Sequence, residues 1–171
     1  VNVVGSYSTD PLQSNFRVRR ARLRADAKVT PKLTMTLRIA LQEFSNPERR
    51  VTEYAYFNYA FHERFQIRVG QDKSPFSLEE LWSSNNLPVI DRGPTSGAFV
   101  DNNYAAFQQG IMIHGKIKNK ILPFNYAAEV YNGNGRNRND NNNGKNFVGR
   151  SELMPIEWLQ IGTNGQFADI K

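Results

Sequence analysis

The sequence contains no cysteine and only two histidines, His62 and His114, among its 171 residues. Without cysteine there is no disulfide framework, no thiolate metal site and no cysteine nucleophile. The two histidines lie far apart, without the spacing of metal ligands. No apolar run approaches the ~18 residues of a transmembrane helix. The net charge of +6 permits nucleic acid, an anionic surface or small anions as partners.

What the sequence does contain is a strict alternation of charged and apolar residues between Arg20 and Val29. In an extended strand, successive side chains point to opposite faces, so one face of this segment is charged and the other apolar. A transmembrane β-barrel satisfies both faces, with lipid outside and a wet lumen inside. A soluble β-sandwich with a basic outer face also satisfies them.

The same period of two residues predicts about nine strands along the chain. They cover roughly residues 1–8, 16–29, 33–43, 51–61, 65–73, 104–117, 122–132, 147–154 and 158–167. Along these strands, every second residue lies on the same face, and one of the two faces is free of charge. This face should contact lipid, and it includes Leu37, Ile39, Phe57, Ile67, Ile111 and Val130. Helical periodicity is not sustained anywhere, and only residues 78–82 predict a single turn of helix.

The connections between the predicted strands alternate between short and long. The short ones are 30–32, 62–64, 118–121 and 155–157, and the long ones are 9–15, 44–50, 74–103 and 133–146. Outer-membrane barrels sort their connections in this way, because short turns lie at the periplasmic rim and longer loops at the external rim. The pattern favours a membrane barrel over a soluble β-domain.

Two of the long connections have contrasting compositions. Residues 74–103 include many large apolar side chains, so we expect this loop to fold inward, pack on the barrel wall and narrow the pore. Residues 132–146 consist almost entirely of asparagine, glycine and charged residues. With nothing apolar to bury, this second loop is expected to be external, mobile and solvated.

Several motifs give the chain a family resemblance. The run from Phe16 to Leu23, the segment from Arg68 to Leu81, the pair Ser83-Ser84, the segment from Val89 to Arg92 and the segment from Tyr131 to Gly135 are similar to the phosphate-selective porin O and P family. The resemblance implies a barrel of roughly sixteen antiparallel strands in the cell outer membrane, with a constricting third loop. Residues 1–171 would then be the N-terminal portion of a single barrel domain, with 74–103 as the inward constriction loop.

The predicted lumen face carries an excess of cations. Arg20, Arg22 and Arg24 follow one another at about 7 Å along one strand, and Arg38 and Arg68 lie on neighbouring strands. Such a row raises the local concentration of anions, and guanidinium groups can bind phosphate through two hydrogen bonds. Alternatively, these arginines pair with lumen carboxylates such as Asp26 and Asp72 and only keep the interior soluble.

The resemblance also implies a narrower anion site. Its positions in this chain are Arg19, Arg20, Ser83, Ser84 and Arg92. Glu79 and Glu80 lie where phosphate-specialised members would need positive charge, so the expectation is a weak anion preference.

The function expected from these observations is that of a porin passing small hydrophilic solutes with a weak preference for anions, phosphate among them. We expect no enzymatic activity and no cofactor, since neither histidine is placed to activate Ser83 or Ser84. The expected partners are small anions and outer-membrane lipid, with a homo-trimer or envelope proteins as further candidates, and not nucleic acid. Two alternatives stay open: a barrel with a mainly structural role in an envelope assembly, and a soluble basic β-domain that binds nucleic acid.

Overall fold

The protein folds into one large antiparallel β-sheet. The computed structural model describes residues 2–6, 15–44, 50–83, 87, 92–119, 122–156 and 158–168, without the side chains of 2–6, 15–17 and 19. Eight strands pair in chain order, each with its sequence neighbours. They are β3 (Arg22–Lys28), β4 (Leu33–Ala40), β5 (Thr52–His62), β6 (Phe65–Lys73), β7 (Phe107–Ile117), β8 (Phe124–Tyr131), β9 (Asn146–Ile156) and β10 (Leu159–Phe167). The all-β prediction is confirmed.

A second, two-stranded sheet precedes the large one. It pairs β1 (Asn2–Ser6) with β2 (Asn15–Arg20). Ala21 interrupts the strand predicted over 16–29: its N–H donates to Gln42 Oε1 at 2.9 Å, and its carbonyl accepts a 2.7 Å bond from the Leu41 N–H. A 3₁₀ helix (Leu41–Glu43) therefore occupies the end of the strand predicted over 33–43, which stops at Ala40.

One face of the large sheet is apolar and exposed. Phe57, Val69, Ile111 and Val130 lie side by side across β5, β6, β7 and β8, because each pairs with the next in register. About half of the Phe57 and Ile111 side chains is accessible, 51% and 53%. Of the residues predicted to face lipid, Leu37 is also exposed and Ile39 and Ile67 are partly so. A continuous exposed band of this kind fits contact with hydrocarbon far better than contact with water.

The connections differ strongly between the two ends of the sheet. At one end the strands are joined by tight links such as 63–64, whereas at the other end lie the connections 41–51, 74–106 and 132–145. The predicted helical turn is present as α1 (Leu78–Leu81). A second helix, α2 (Pro94–Asp101), was not predicted, because its sequence has no amphipathic pattern; Pro94 simply favours a first helical turn. The strand predicted from residue 104 begins only at Phe107.

Aromatic rings gather at the end with the tight links. Phe61 contacts Tyr59 at 4.6 Å and Phe65 at 5.5 Å between ring centroids, and Phe124 stacks on Tyr126 at 6.2 Å. Rings at strand ends on an apolar face are typical of the girdle at a membrane interface. Within the part of the chain that the structure covers, no helix is long and apolar enough to cross a membrane.

A charge placed on the apolar face should be poorly tolerated. We expect Ile111→Arg to reduce the free energy of unfolding from lipid vesicles by about 2–4 kcal/mol, because Ile111 lies in the middle of its strand. Thr34→Arg adds the same side chain to the opposite, charged face and should have little effect. If urea titrations showed the same loss of unfolding free energy in both variants, the assignment of the apolar and the charged face would be contradicted.

Candidate anion pathway

The second face of the sheet is charged, and strand pairing brings its cations together. β3 places Arg22, Arg24, Asp26 and Lys28 on this face by simple alternation. In register, Arg24 lies opposite Arg38 on β4, which in turn lies opposite Tyr54 on β5. The alternation that predicts a strand therefore also produces a band of arginines, called here the charged face.

A buried carboxylate, Glu53, lies at the centre of this band. Its side chain is about 4% exposed and contacts the guanidinium groups of Arg22 at 3.1 Å, Arg38 at 2.7 Å and Arg136 at 3.9 Å. The three arginines come from β3, β4 and the connection 132–145. One carboxylate thus joins three separate segments, and the cluster retains an excess of positive charge.

A second buried carboxylate, Glu80, holds the connection 74–106 together. Glu80 Oε1 accepts the Ser96 hydroxyl at 2.6 Å and lies 3.0 Å from Arg92 Nε. Lys73 at the end of β6 lies 3.8 Å from Glu80 Oε2 and donates to the Glu80 carbonyl. Arg92 also donates to the carbonyls of Glu79 and Trp82, at 3.0 and 2.9 Å. Arg92 therefore binds the helix α1 to the start of α2.

Between these two carboxylates lies a cavity of about 210 Å³, called here the basic cavity. Five cationic side chains line it, and Glu80 is the single acidic one. The cations are Arg22, Arg24, Arg38, Lys73 and Arg92. Leu81, Trp82 and Ser83 also line it, so this part of the connection 74–106 lies beside the charged face. A space of this size and sign would attract a small anion.

The basic cavity continues into a wider one of about 400 Å³, which also contacts Arg24, Tyr54, Lys73 and Leu81. Here two of the arginines are already paired. Arg68 forms an ion pair with Asp72, and Arg150 Nε donates to Glu152 Oε1 at 2.6 Å. The interpretation of arginines as structural partners of carboxylates fits this part of the charged face.

Aromatic rings support several of the arginines. The Arg38 guanidinium lies 4.0 Å from the centroid of the Tyr54 ring, and that of Arg68 lies 4.4 Å from the Tyr56 ring. Phe107 packs edge-on against Tyr54 at 5.2 Å. Stacking of this kind limits the rotamers of the guanidinium groups and keeps them at the cavity wall.

Hydrogen bonds anchor the connection 132–145 to the sheet, which its composition did not predict, whereas its mobility stays a prediction. Its backbone donates to two buried glutamines: Asn137 N–H to Gln71 Oε1 at 2.7 Å and Gly135 N–H to Gln108 Oε1 at 3.0 Å. Asn137 Nδ2 also reaches the Thr52 carbonyl at 2.9 Å. Buried amide groups replace the missing apolar contacts, which composition alone does not reveal.

The predicted site residues are distributed over several places. Arg22, Arg24, Arg38, Ser83 and Arg92 meet at the basic cavity, and Arg68 lines the wider one. Arg20 ends β2 and is half-buried. Ser84 and the side chain of Arg19 lie outside the described residues.

Four important residues were not predicted: Glu53, Lys73, Glu80 and Arg136. Glu53 and Lys73 fall on the apolar parity of their strands, which is the signal that could have identified them. The ladder slips between Arg38 and Ile39, beside Glu53, and Gly70 has φ +129°, three residues before Lys73. The slip in register allows Glu53 to join the charged face, whereas Lys73 is the last residue of its strand. Glu80 and Arg136 lie in loops, where the period of two residues gives no information.

Two carboxyl groups outside the strands have lowered pKa values. A hydrogen bond from Lys118 holds the pKa of Glu63 below its usual range, and one from Lys145 does the same for Asp140. Both groups are therefore ionised at neutral pH, and both ion pairs are lost only as the pH falls through these lowered pKa values. Within the described ranges, no three histidine, aspartate or glutamate side chains lie close enough to share a metal ion.

An antiparallel sheet with one exposed apolar face, one charged face and connections sorted by length is the wall of a porin-type β-structure. The sequence matches the model of the family "Phosphate-selective porin O and P" over residues 2–160, and the chain belongs to this family. The family consists of outer-membrane channels rather than enzymes.

One curated relative is a protein of Aquifex aeolicus (strain VF5) described as "Uncharacterized protein", which is 31% identical over 83 residues. The match covers 47% of this chain, and the chain spans about a fifth, 19%, of the length of that relative. No solved structure matches the chain.

Proposed function

We propose that the protein forms part of the wall of an outer-membrane pore that passes small hydrophilic solutes with a weak preference for anions. Membership of the porin family supports the channel function in general. The observation that carries the anion preference is the basic cavity, where five cations and one carboxylate surround about 210 Å³. An anion entering this space gains favourable potential from several side chains without a single tight site, which is what conduction requires.

The connection 74–106 is, in this proposal, the inward constriction loop. The basic cavity is lined both by residues of the sheet, such as Arg22 and Arg38, and by residues 80–83 of this connection, which supports the proposal. The ring centroids of Phe76 and Phe99 lie 5.1 Å apart, and this contact joins the two ends of the connection to each other. Leu81 and Trp82 would anchor this loop on the wall of the pore, and Phe76 packs within the loop.

The preference for anions should be weak, because carboxylates already form ion pairs with most of the guanidinium groups at the cavity. Arg22 and Arg38 share Glu53, Arg92 is bound to Glu80, and Arg24 donates to Asp26 at 2.7 Å. Tight two-pronged binding of phosphate would require these guanidinium groups to exchange partners. A mild excess of positive potential, rather than a high-affinity phosphate site, is the function that these pairs support.

Arg24 offers the cleanest test, because it lines both cavities and its pair with Asp26 is half exposed. We expect Arg24→Gln to move the reversal potential in a salt gradient toward cation preference. The shift should be largest at ~0.1 M salt or below, where the Debye length is about 10 Å or more. Lys28→Gln removes the same charge from the same face of β3, but away from both cavities, and should shift the potential much less.

Two other outcomes would count against the proposal. Equal shifts in the two variants would mean that only the total charge of the pore matters. No shift in either variant would favour the structural interpretation, in which lumen arginines are neutralised by their carboxylate partners and the barrel has little selective transport.

A further inference from the structure

A third cavity lies at the end of the sheet with the long connections. Its volume is about 550 Å³, and its lining comes from four separate parts of the chain. These are Arg50 before β5, residues 102–104 before β7, residues between 132 and 146 from the end of β8 to the start of β9, and Ala168 after β10. This size is within the range of small-molecule sites, which run to roughly 300–1,000 Å³. We call it the asparagine pocket.

Asparagine supplies nine of the fourteen lining residues, and no acidic side chain is among them. A carboxamide offers two N–H donors and a carbonyl acceptor in one plane. Vicinal hydroxyl groups of a sugar need both a donor and an acceptor from the same neighbour, and a carboxamide provides them. A metal ion would need carboxylate or clustered carbonyl oxygens, and a phosphate would need a concentration of positive charge.

Hydrogen bonds within the chain already position part of the pocket wall. Asn134 Nδ2 donates to the Asn139 carbonyl at 3.0 Å, and Asn142 Oδ1 accepts the Gly144 N–H at 2.7 Å. Asn137 has a left-handed backbone, with φ +52°, and bonds to Gln71 and Thr52. A wall fixed by such bonds loses little conformational entropy on binding, which favours affinity.

Other amide groups of the pocket stay available. The carboxamides of Asn132, Asn139 and Asn141 make no hydrogen bond within the part of the chain that the structure describes. Tyr104 adds aromatic surface for the C–H groups of a ring, and Arg138 adds an exposed cation. The nearby Asp140 carboxylate is engaged by Lys145 and by the Asn142 N–H, so it does not oppose an acidic ligand.

We propose that the asparagine pocket binds the hydroxyl groups of a saccharide unit. Neutral hexoses and uronic acids share this chemistry, and Arg138 would add affinity only for the acidic ones. The site is separate from the basic cavity and does not depend on anion conduction. Its position at the end with the long connections would place a bound sugar at the external rim of the porin.

The test uses the complete porin in detergent, with saturation-transfer NMR and calorimetric titration against glucose and glucuronate as probes. Both sugars should bind to the unchanged protein. The double variant Asn139→Ala with Asn141→Ala should raise the dissociation constants of both sugars by roughly tenfold, because two hydrogen-bonding groups are lost. Asn119→Ala, at the opposite end of the sheet, is the matched control and should bind like the unchanged protein.

A separate variant distinguishes the two kinds of sugar. Arg138→Gln should weaken the binding of glucuronate and leave the binding of glucose unchanged. If glucuronate bound but glucose did not, charge alone would explain the binding, and the proposal would be overturned. The proposal would also be overturned if neither sugar bound. The reversal potential of the double variant should stay unchanged, so that failure of the saccharide site can be distinguished from failure of the proposed anion preference.

Discussion

Replacing Glu53 by glutamine should destabilise the folded protein by about 3 kcal/mol, since removing one partner of a buried ion pair leaves the other charges uncompensated. Glu53 is buried, and it contacts Arg22, Arg38 and Arg136 within 3.1, 2.7 and 3.9 Å. Glutamine keeps the size of the side chain and part of its hydrogen bonding, so the loss reports mainly the missing charge. Urea titration of the protein folded in lipid vesicles measures it.

The same substitution should also increase anion preference. Three guanidinium groups beside the basic cavity lose their shared counter-charge, so the reversal potential in a salt gradient should move toward anions. Glu63→Gln is the control: Glu63 also pairs with a cation, Lys118, but the pair is exposed at a tight link and should affect neither measurement. If Glu53→Gln leaves both stability and selectivity unchanged, the cluster around Glu53 is not organised by its charge.

Removing the connection between β6 and β7 should raise the single-channel conductance several-fold. The ends of these strands are suited to the deletion, because Lys73 pairs with Phe107 and the Ser74 N–H donates to the Ala106 carbonyl at 2.9 Å. A short Gly-Ser link can therefore replace residues 76–104 without moving either strand. If the connection narrows the pore, its loss removes the narrowest point for every ion.

A second variant separates the presence of this connection from its fixation. Glu80→Gln keeps the full length but weakens the contacts with Arg92 and Lys73. We expect a mean conductance close to that of the unchanged protein, with more current noise. A deletion variant with unchanged conductance would show that the connection does not lie in the path of the ions.

The parts of the fold that follow from local alternation were predictable from the sequence. β6 was predicted over 65–73 and has these bounds, because its alternation and its turn at 63–64 are both local signals. The meander topology follows in the same way, since short links force neighbouring strands to pair. Errors occur at Ala21 and after Ala40, where the sequence still alternates but the Ala21 N–H donates to the Gln42 side chain instead of joining the ladder.

The candidate site was predictable only in part. Arg22, Arg24 and Arg38 were identified because they repeat on one parity, and pairing of strands then brings them together. Their partners were not, since Glu53 reaches the charged face through a slip in register and Arg136 comes from a connection 83 residues later. The anchoring of residues 132–145 was also missed, because Gln71 and Gln108 look like ordinary strand residues in the sequence.

The shared contacts of Glu53 have a consequence for how this protein can change during evolution. The carboxylate that pairs with two arginines of the basic cavity is also the one that joins β3, β4 and the connection after β8. A mutation toward stronger anion selectivity at this position therefore weakens the fold at the same time. Lineages that need a different selectivity should instead vary positions such as Arg24, whose exposed pair can be exchanged at little structural cost.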